Sequence, residues 1–349
     1  MLSEPTGRTE LEDLGEFGLI DHLTKDVEVK NPTTIKGIGD DAAVIDAGEK
    51  FMLISTDMLI EGVHFDMMYA PLKHLGYKAI VVNLSDIYAM NGTPKQVTIS
   101  IALSNRFSLE AMEEFYLGAK LACEFYGVDL VGGDTTSSLS GLCISVTAIG
   151  EVDKDKVVYR GGAKENDLLC VSGDLGAAYM GLQLLEREKQ IFMDDSKVQP
   201  DLQGMDYVLE RQLKPEARKV IVERLSEAGI LPTSMIDVSD GLASEVKHLA
   251  LHSKCGFSIY EEKLPIDPST ISAAEDLGLD GTIAALNGGE DYELLFTVPQ
   301  TDFEKVKGVD GISIIGHVTD EVTGCQMIGK GGNMIQLQAQ GWNAFDKKD

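Results

Sequence analysis

Basic residues are scarce in this chain: 30 Lys and Arg stand against 57 Asp and Glu, leaving a formal net charge of −27 at pH 7. Such a balance repels nucleic-acid backbones and anionic membranes, and it argues against both as partners. Long apolar runs are missing too. No stretch approaches the roughly 20 residues that span a bilayer, and the opening MLSEPTGRTELEDLGEFG is acidic and polar where a secretory leader is basic and then apolar. The expected location is the cytoplasm. Cysteine is sparse and unpaired in pattern: Cys123, Cys143, Cys170, Cys255 and Cys325 are odd in number, widely spaced and without a CxxC. They read as buried thiols in a reducing compartment. His248 and His252 stand one helical turn apart but lack a third zinc ligand nearby, so zinc is not expected. No G-x-x-x-x-G-K-[ST] is present, GIGDDA carries only two of the three glycines of a dinucleotide fingerprint, and neither H-R-D nor D-F-G occurs. A P-loop, a Rossmann site and a protein-kinase site are thereby set aside.

What the chain has instead is length for two cores. Its 349 residues, 44% hydrophobic, favour two domains. The first half alternates strand-like LISTD and VTISIALS with helix-like PLKHLGYKAIVVNLSDIYAMNG and LEAMEEFYLGAKLACEFYG, followed by the short apolar strand VDLVGGD and by GLCISVTAIGEV. Charge and two glycines in DKDKVVYRGGAKENDLL mark a change of rhythm, and the boundary is placed between residues 1–155 and 156–349. The second half repeats the mixture, with strands in LLCVSG, SMIDVS, GFSIYEE and YELLFTV and helices in AAYMGLQLLEREKQ, EARKVIVERLSEAG and GLASEVKHLALHS. Each half is an α/β or α+β layer structure.

Acidic residues recur at strand ends beside glycine, serine or threonine: GIGDDAAVI at 37–45, STDMLIEGVHF at 55–65, NLSD at 83–86, LVGGDTT at 130–136 and IDVSDGL at 236–242. One such pair alone reads as a turn or a helix cap, but five in similar contexts outweigh that reading. Carboxylates suit Mg²⁺, which takes one or two protein carboxylates per ion alongside waters and phosphate oxygens. Several separated aspartates therefore point to several ions on a polyphosphate.

These segments, with NLSDIYAMNGTP, NGGEDYELLFT and IIGHV, stand in an order and spacing that resembles the thiamine-monophosphate kinase family, within the superfamily of aminoimidazole ribonucleotide synthetase, from about residue 12 to about residue 345. The resemblance implies a two-domain fold with mixed sheets and helices packed on one face of each. It implies ATP-dependent transfer of the γ-phosphoryl group onto thiamine monophosphate, assisted by several Mg²⁺ ions. A phosphate acceptor is already ionised near neutral pH, so positioning and charge neutralisation carry such a reaction and no strong general base is required. The selenophosphate synthetase relatives carry a reactive residue in a glycine-rich N-terminal segment, whereas the first cysteine here is Cys123, in a helix-like stretch. An aminoimidazole ribonucleotide synthetase-like ligase and a noncatalytic Mg-nucleotide-binding protein are the alternatives; EGVHF and NGGEDYEL argue against the first, and the retention of every expected acid argues against the second.

Carried over residue by residue, the resemblance assigns metal coordination to Asp41, Ser55, Thr56, Asp57, Asp86, Asp134, Asp237 and Asp240, with Asp86 and Asp240 central to catalysis. Of the neighbours Asp40 and Asp41, one side chain faces a given site, and the family pattern favours Asp41. Tyr116, Gly133, Asp134, Arg160 and Ser239 correspond to nucleotide contacts, and His64, Glu290 and Trp342 to substrate contacts. Plainer roles are open to several: core packing for Tyr116, a surface ion pair for Arg160, a hydrogen-bonded structural ring for His64, strand capping for Glu290 and core completion for Trp342. The N-terminal domain is expected to supply most Mg²⁺ ligands and to form a homodimer through its sheet, the C-terminal domain to complete the site.

Overall fold

The computed structural model describes residues 14–338. The first unit runs α1 (Gly15–Thr24), β1 (Thr34–Lys36), β2 (Ala43–Asp46), β3 (Lys50–Ile60), α2 (Leu72–Ala89), β4 (Thr93–Leu103), α3 (Leu109–Tyr126), β5 (Asp129–Ser137) and β6 (Cys143–Asp153). Its six strands form one sheet in the order β1-β2-β3-β6-β4-β5, antiparallel except for β4 with β5. Along β6 every second residue is buried, the period expected of a strand with one covered face.

The helix α2 is buried nearly all round, with Leu75, Ile80, Val81, Leu84 and Ile87 in the core. It starts after Pro71 and stops before Asn91, which takes a left-handed φ of 58°. Its crossing with α3 is unusually close. A Cβ on Gly76 would stand 1.9 Å from the Phe115 carbonyl oxygen, and one on Gly118 would stand 1.8 Å from that of Lys73. The two glycines let the backbones touch, and the crossing holds α2 against the sheet. Gly127, at φ 69°, ends α3.

The second unit contains β7 (Leu168–Ser172), α4 (Ala177–Asp194), α5 (Asp206–Leu213), α6 (Lys219–Glu227), β8 (Ser234–Asp237), α7 (Leu242–Ser253), β9 (Gly256–Tyr260), α8 (Pro268–Asp276), α9 (Gly281–Asn287), β10 (Leu294–Val298), α10 (Phe303–Lys307), β11 (Ile312–Thr319), β12 (Cys325–Ile328) and β13 (Met334–Gln336). Its seven-stranded sheet has the order β13-β12-β9-β11-β7-β10-β8, antiparallel except for β9 with β12. Leu169, Val171, Ile236, Val246, Phe257 and Leu295 lie in its core.

The units meet where α2 ends. Ala89 and Val158 share an apolar cluster with Cys170, Met235 and Phe296 of the second sheet. The polar end of β8, an edge strand, is thereby brought to the side of α2.

Three expectations change in detail. The segment 129–137 is a nine-residue, mostly exposed edge strand, not a short apolar one. Of the five cysteines only Cys123 and Cys170 are buried; the other three are half-buried. The stretch 206–213, unassigned in sequence, is helix α5. No helix among the described residues is long and apolar enough to cross a membrane.

Candidate active site

Three carboxylates from three separate segments converge. Asp41 follows the 37–40 turn, Asp86 lies on the last turn of α2, and Asp237 ends β8; each places an oxygen within 4.8 Å of the others. Two unit charges at that distance repel by about 1 kcal/mol in bulk water and by about 3 to 4 kcal/mol at an effective dielectric of 20. The fold nevertheless holds them in place with hydroxyls. Ser55 Oγ donates to Asp86 Oδ2, and Ser85 Oγ donates to Asp237 Oδ2 at 2.6 Å.

Strand alternation decides which part of STDM faces this cluster. Ser55 and Asp57 point toward α2, where the Asp57 N–H donates to Asn83 Oδ1 at 3.0 Å. Thr56 points to the open face of the sheet, donating to the Val146 carbonyl at 3.0 Å. Its hydroxyl is not brought to the cluster, because successive side chains on a strand face opposite ways.

Asp40 and Asp41 also divide their tasks. Asp40 Oδ1 accepts the Arg160 N–H at 3.1 Å and so fixes the backbone of the 37–41 turn. Asp41 Oδ1 accepts from Arg160 Nε at 3.1 Å and Nη2 at 2.7 Å. Asp41 Oδ2 is buried and has no partner among the described residues. Arg160, most of whose side chain is buried, thus brings its guanidinium to the cluster through Asp41.

Burial is the first cause of upward pKa shifts through the group. It raises Asp237 to about 7, with further push from Asp41. Asp57 rises to about 6, burial outweighing its hydrogen bond to Asp86. Asp86 is driven well above the carboxylate range by burial and then by Asp57, Asp237 and Asp41. Asp240 rises to about 6 through burial and the charge of Glu16 on α1. The backbone N–H of Asp240 donates to Glu245 Oε1 at 3.1 Å, and the Glu245 carboxyl is itself raised by burial and by Asp240.

The loop that follows α9 closes onto this wall. The Glu290 N–H donates to the Ser239 carbonyl at 2.7 Å, and the Tyr292 N–H donates to that of Val238 at 2.9 Å. A Cβ on Gly289 would lie 2.4 Å from the Ser239 oxygen, so only glycine permits the approach. Glu290 and Tyr292 take φ values of 67° and 50°, an uncommon region for such residues that the surrounding contacts enforce. The Glu290 carboxylate is gripped by Lys78 Nζ at 2.7 Å and by Gln212 Nε2 at 2.7 Å. His64, whose Nδ1 accepts the Ile60 N–H at 3.0 Å, lines a small cavity beside Lys78 and Gln212.

Other sequence-assigned residues lie elsewhere within one chain. Asp134 pairs in register with Ser100, Ser100 with Ser145, and Ser145 with Met58. Three strand spacings, roughly 14 Å, therefore separate it from the neighbourhood of Asp57. Gly133 is required by pairing, since a Cβ there would stand 1.8 Å from the Ile99 carbonyl oxygen. Tyr116 packs edge-on to Phe115 and lines a surface hollow on α3 with Leu109, Met112 and Lys120. Trp342 lies outside the described residues. Sequence reasoning missed Lys78, Asn83, Ser85, Gln212 and Glu245; Lys78, Asn83 and Ser85 were signalled as polar residues inside the otherwise apolar α2, the other two by nothing local.

Comparison with known proteins matches the chain, over most of its length, to a family of known proteins. The model of the N-terminal domain of AIR synthase related proteins covers residues 39–152, and that of the C-terminal domain covers 164–327. The chain is 37% identical to the thiamine-monophosphate kinase of Aquifex aeolicus (strain VF5) over 335 residues, 96% of this chain and 99% of that one. It is 33% identical to the thiamine-monophosphate kinase of Bacillus subtilis (strain 168), over 95% and 100% of the two chains. A solved structure of AaThiL complexed with AMPPCP and TMP superposes with a TM-score of 0.82 at 35% identity, covering 97% of this chain and 99% of that one. With both domain models matched and near-complete coverage of its relatives, the chain belongs to the thiamine-monophosphate kinase family of AIR synthase related proteins.

Proposed function

We propose that this protein phosphorylates thiamine monophosphate with ATP, giving thiamine diphosphate and ADP by direct in-line transfer of the γ-phosphoryl group. The observation that carries the reading is the convergence of Asp41, Asp86 and Asp237 around a buried, unpartnered Asp41 oxygen. Relatives of near-complete coverage named for that activity support it, as does the likeness to a structure complexed with AMPPCP, an ATP analogue, and TMP.

The donor set fits Mg²⁺: all oxygen, all carboxylate at the centre, with an orphaned buried acceptor. Asp41, Asp86 and Asp237 would hold it, flanked by Asp57 and Asp240, with Ser55 orienting Asp86. Bound there, Mg²⁺ supplies the positive charge that lets two polyanions meet and that offsets charge on the equatorial oxygens. The chain's own residues do the rest. Arg160, oriented by Asp40, presents a guanidinium that suits phosphate as well as Asp41. The wall of Ser239 and Glu290 closes the side toward the acceptor, with His64 and Trp342 completing the substrate contacts. The first unit supplies most acids, and the second supplies Asp237, Ser239 and Asp240.

Asp134, three strands away, Gly133 and Tyr116 reach a nucleotide at this cluster only if a second copy contributes them. Homodimerisation through the open sheet face, where Met58 and Ile60 are exposed, provides that copy.

Incubation with ATP, Mg²⁺ and thiamine monophosphate, with free thiamine as a parallel acceptor, tests the reading by chromatography. One-to-one thiamine diphosphate and ADP from the monophosphate alone is the expected result. ADP without thiamine diphosphate, or no product at all, overturns it.

A further inference from the structure

The cavity beside Glu290 is walled by His64, Tyr69, His74, Lys78, Gln212 and Leu213. Its volume is about 20 Å³, space for one water-sized group and too little for a ring. Two of its lining residues carry buried polar atoms with no partner among the described residues: Gln212 Oε1 and His74 Nδ1. Gln212 is only 5% exposed.

The orientation of the Gln212 amide is not arbitrary. One end touches Glu290 Oε2 at 2.7 Å. A carboxylate that ion-pairs with Lys78 through its other oxygen is an acceptor, so the Gln212 atom facing it is the NH₂ group. The amide oxygen is thereby left as a fixed, unpartnered acceptor on a residue that lines the cavity. Lys78, itself 4% exposed, and the left-handed backbone of Glu290 hold this arrangement across the two units. A buried acceptor kept unsatisfied in such a frame calls for a donor from outside the chain.

We infer that Gln212 is a specificity-determining residue whose Oε1 accepts a hydrogen bond from an exocyclic amino group on the heterocycle of the substrate, the amino group entering the cavity while the ring, too large for it, stays outside. The inference rests on the proposed thiamine-monophosphate reading, since the pyrimidine of that substrate bears one such amino group. A carbonyl at that exocyclic position would set an acceptor against the same atom, and an apolar group would leave it unpaired.

The test compares thiamine monophosphate with its analogue carrying a carbonyl in place of the pyrimidine amino group, each with ATP and Mg²⁺, in the full-length wild type and in Gln212→Met. Wild type is expected to prefer the amino substrate by at least about 100-fold in kcat/KM, because a site built around a hydrogen bond rejects a partner that cannot make it. In Gln212→Met the KM for thiamine monophosphate should rise about tenfold or more, the KM for ATP should stay within about twofold, and the preference should shrink to about threefold. A wild type that treats both acceptors alike means that the cavity holds only water, and this overturns the inference without any variant. A variant that keeps the full preference overturns it as well. No turnover of thiamine monophosphate by wild type defeats the underlying reading and the inference with it, whereas turnover without amino preference defeats the inference alone.

Discussion

Two groups of buried carboxylates in the described chain are treated differently. Around Glu293 and Asp291 the protein supplies its own counter-charges. Glu293 pairs with Arg211 at 2.9 Å and Arg218 at 2.6 Å and accepts the Ser172 hydroxyl, while Asp291 accepts the Gly176 N–H at the start of α4 and lies 3.6 Å from Arg211. Around Asp41, Asp86 and Asp237 one guanidinium, paired with Asp41, meets three converging acids, with Asp57 and Asp240 close by, and one oxygen is left unpaired. Two acids with two arginines make a closed structural network. Five acids with one arginine leave negative charge that something from outside must balance, and this difference separates a site from a scaffold.

Substitutions that remove one acid from each cluster should therefore have opposite signatures. Asp86→Asn should lower turnover by at least about 1,000-fold while leaving the melting temperature of the metal-free protein unchanged or raised, since it relieves repulsion. Near-wild-type turnover at saturating Mg²⁺ would remove Asp86 from the machinery. Glu293→Gln should instead cost about 3 to 5 kcal/mol of stability by leaving two half-buried arginines short of a partner; urea unfolding that shows less than about 1 kcal/mol of loss would make the second cluster no more structural than the first. Arg160→Met should raise the KM for ATP about tenfold, with a smaller effect on the KM for thiamine monophosphate, and equal effects on both would point to a purely structural arginine.

The smallest effect is on pH dependence. Asp237 at about 7 and Asp57 and Asp240 at about 6 bind protons more tightly in the folded chain than at their ordinary value of 3.8. Their contribution to stability is full below about pH 4 and is lost as pH rises through 6 to 7. Burial also pushes Asp291 to about 7, Arg211 opposing it, so part of this loss belongs to the closed network. Only the share belonging to the open cluster should be recovered by Mg²⁺. The melting-temperature gain on adding Mg²⁺ should be larger at pH 8 than at pH 5.5, and a gain independent of pH would break the comparison.

Much of this was legible in sequence where the signal is local. The apolar spacing of 71–92, with its Asn91-Gly92 stop, identifies α2, and the recurrent Asp motifs identify the acids that converge. Strand period alone separates Ser55 and Asp57 from Thr56, although the motif STDM suggests all three together. Other features depend on distances the sequence does not encode. Lys78, Gln212 and Glu290 meet across more than 70 residues of chain, and Asp134 sits in a motif like the others but on the far edge of the sheet. The strand at 129–137 was legible, but its full length and exposure were hidden by Gly132 and Gly133, which carry no alternation to read.

The most direct test of the central claim is a calorimetric titration of Mg²⁺ at pH 8 into protein bearing the ATP analogue AMPPCP, wild type against Asp237→Asn. The account predicts saturable binding to wild type and at least about tenfold weaker binding to the variant. Identical isotherms for the two would place the ions elsewhere and contradict it.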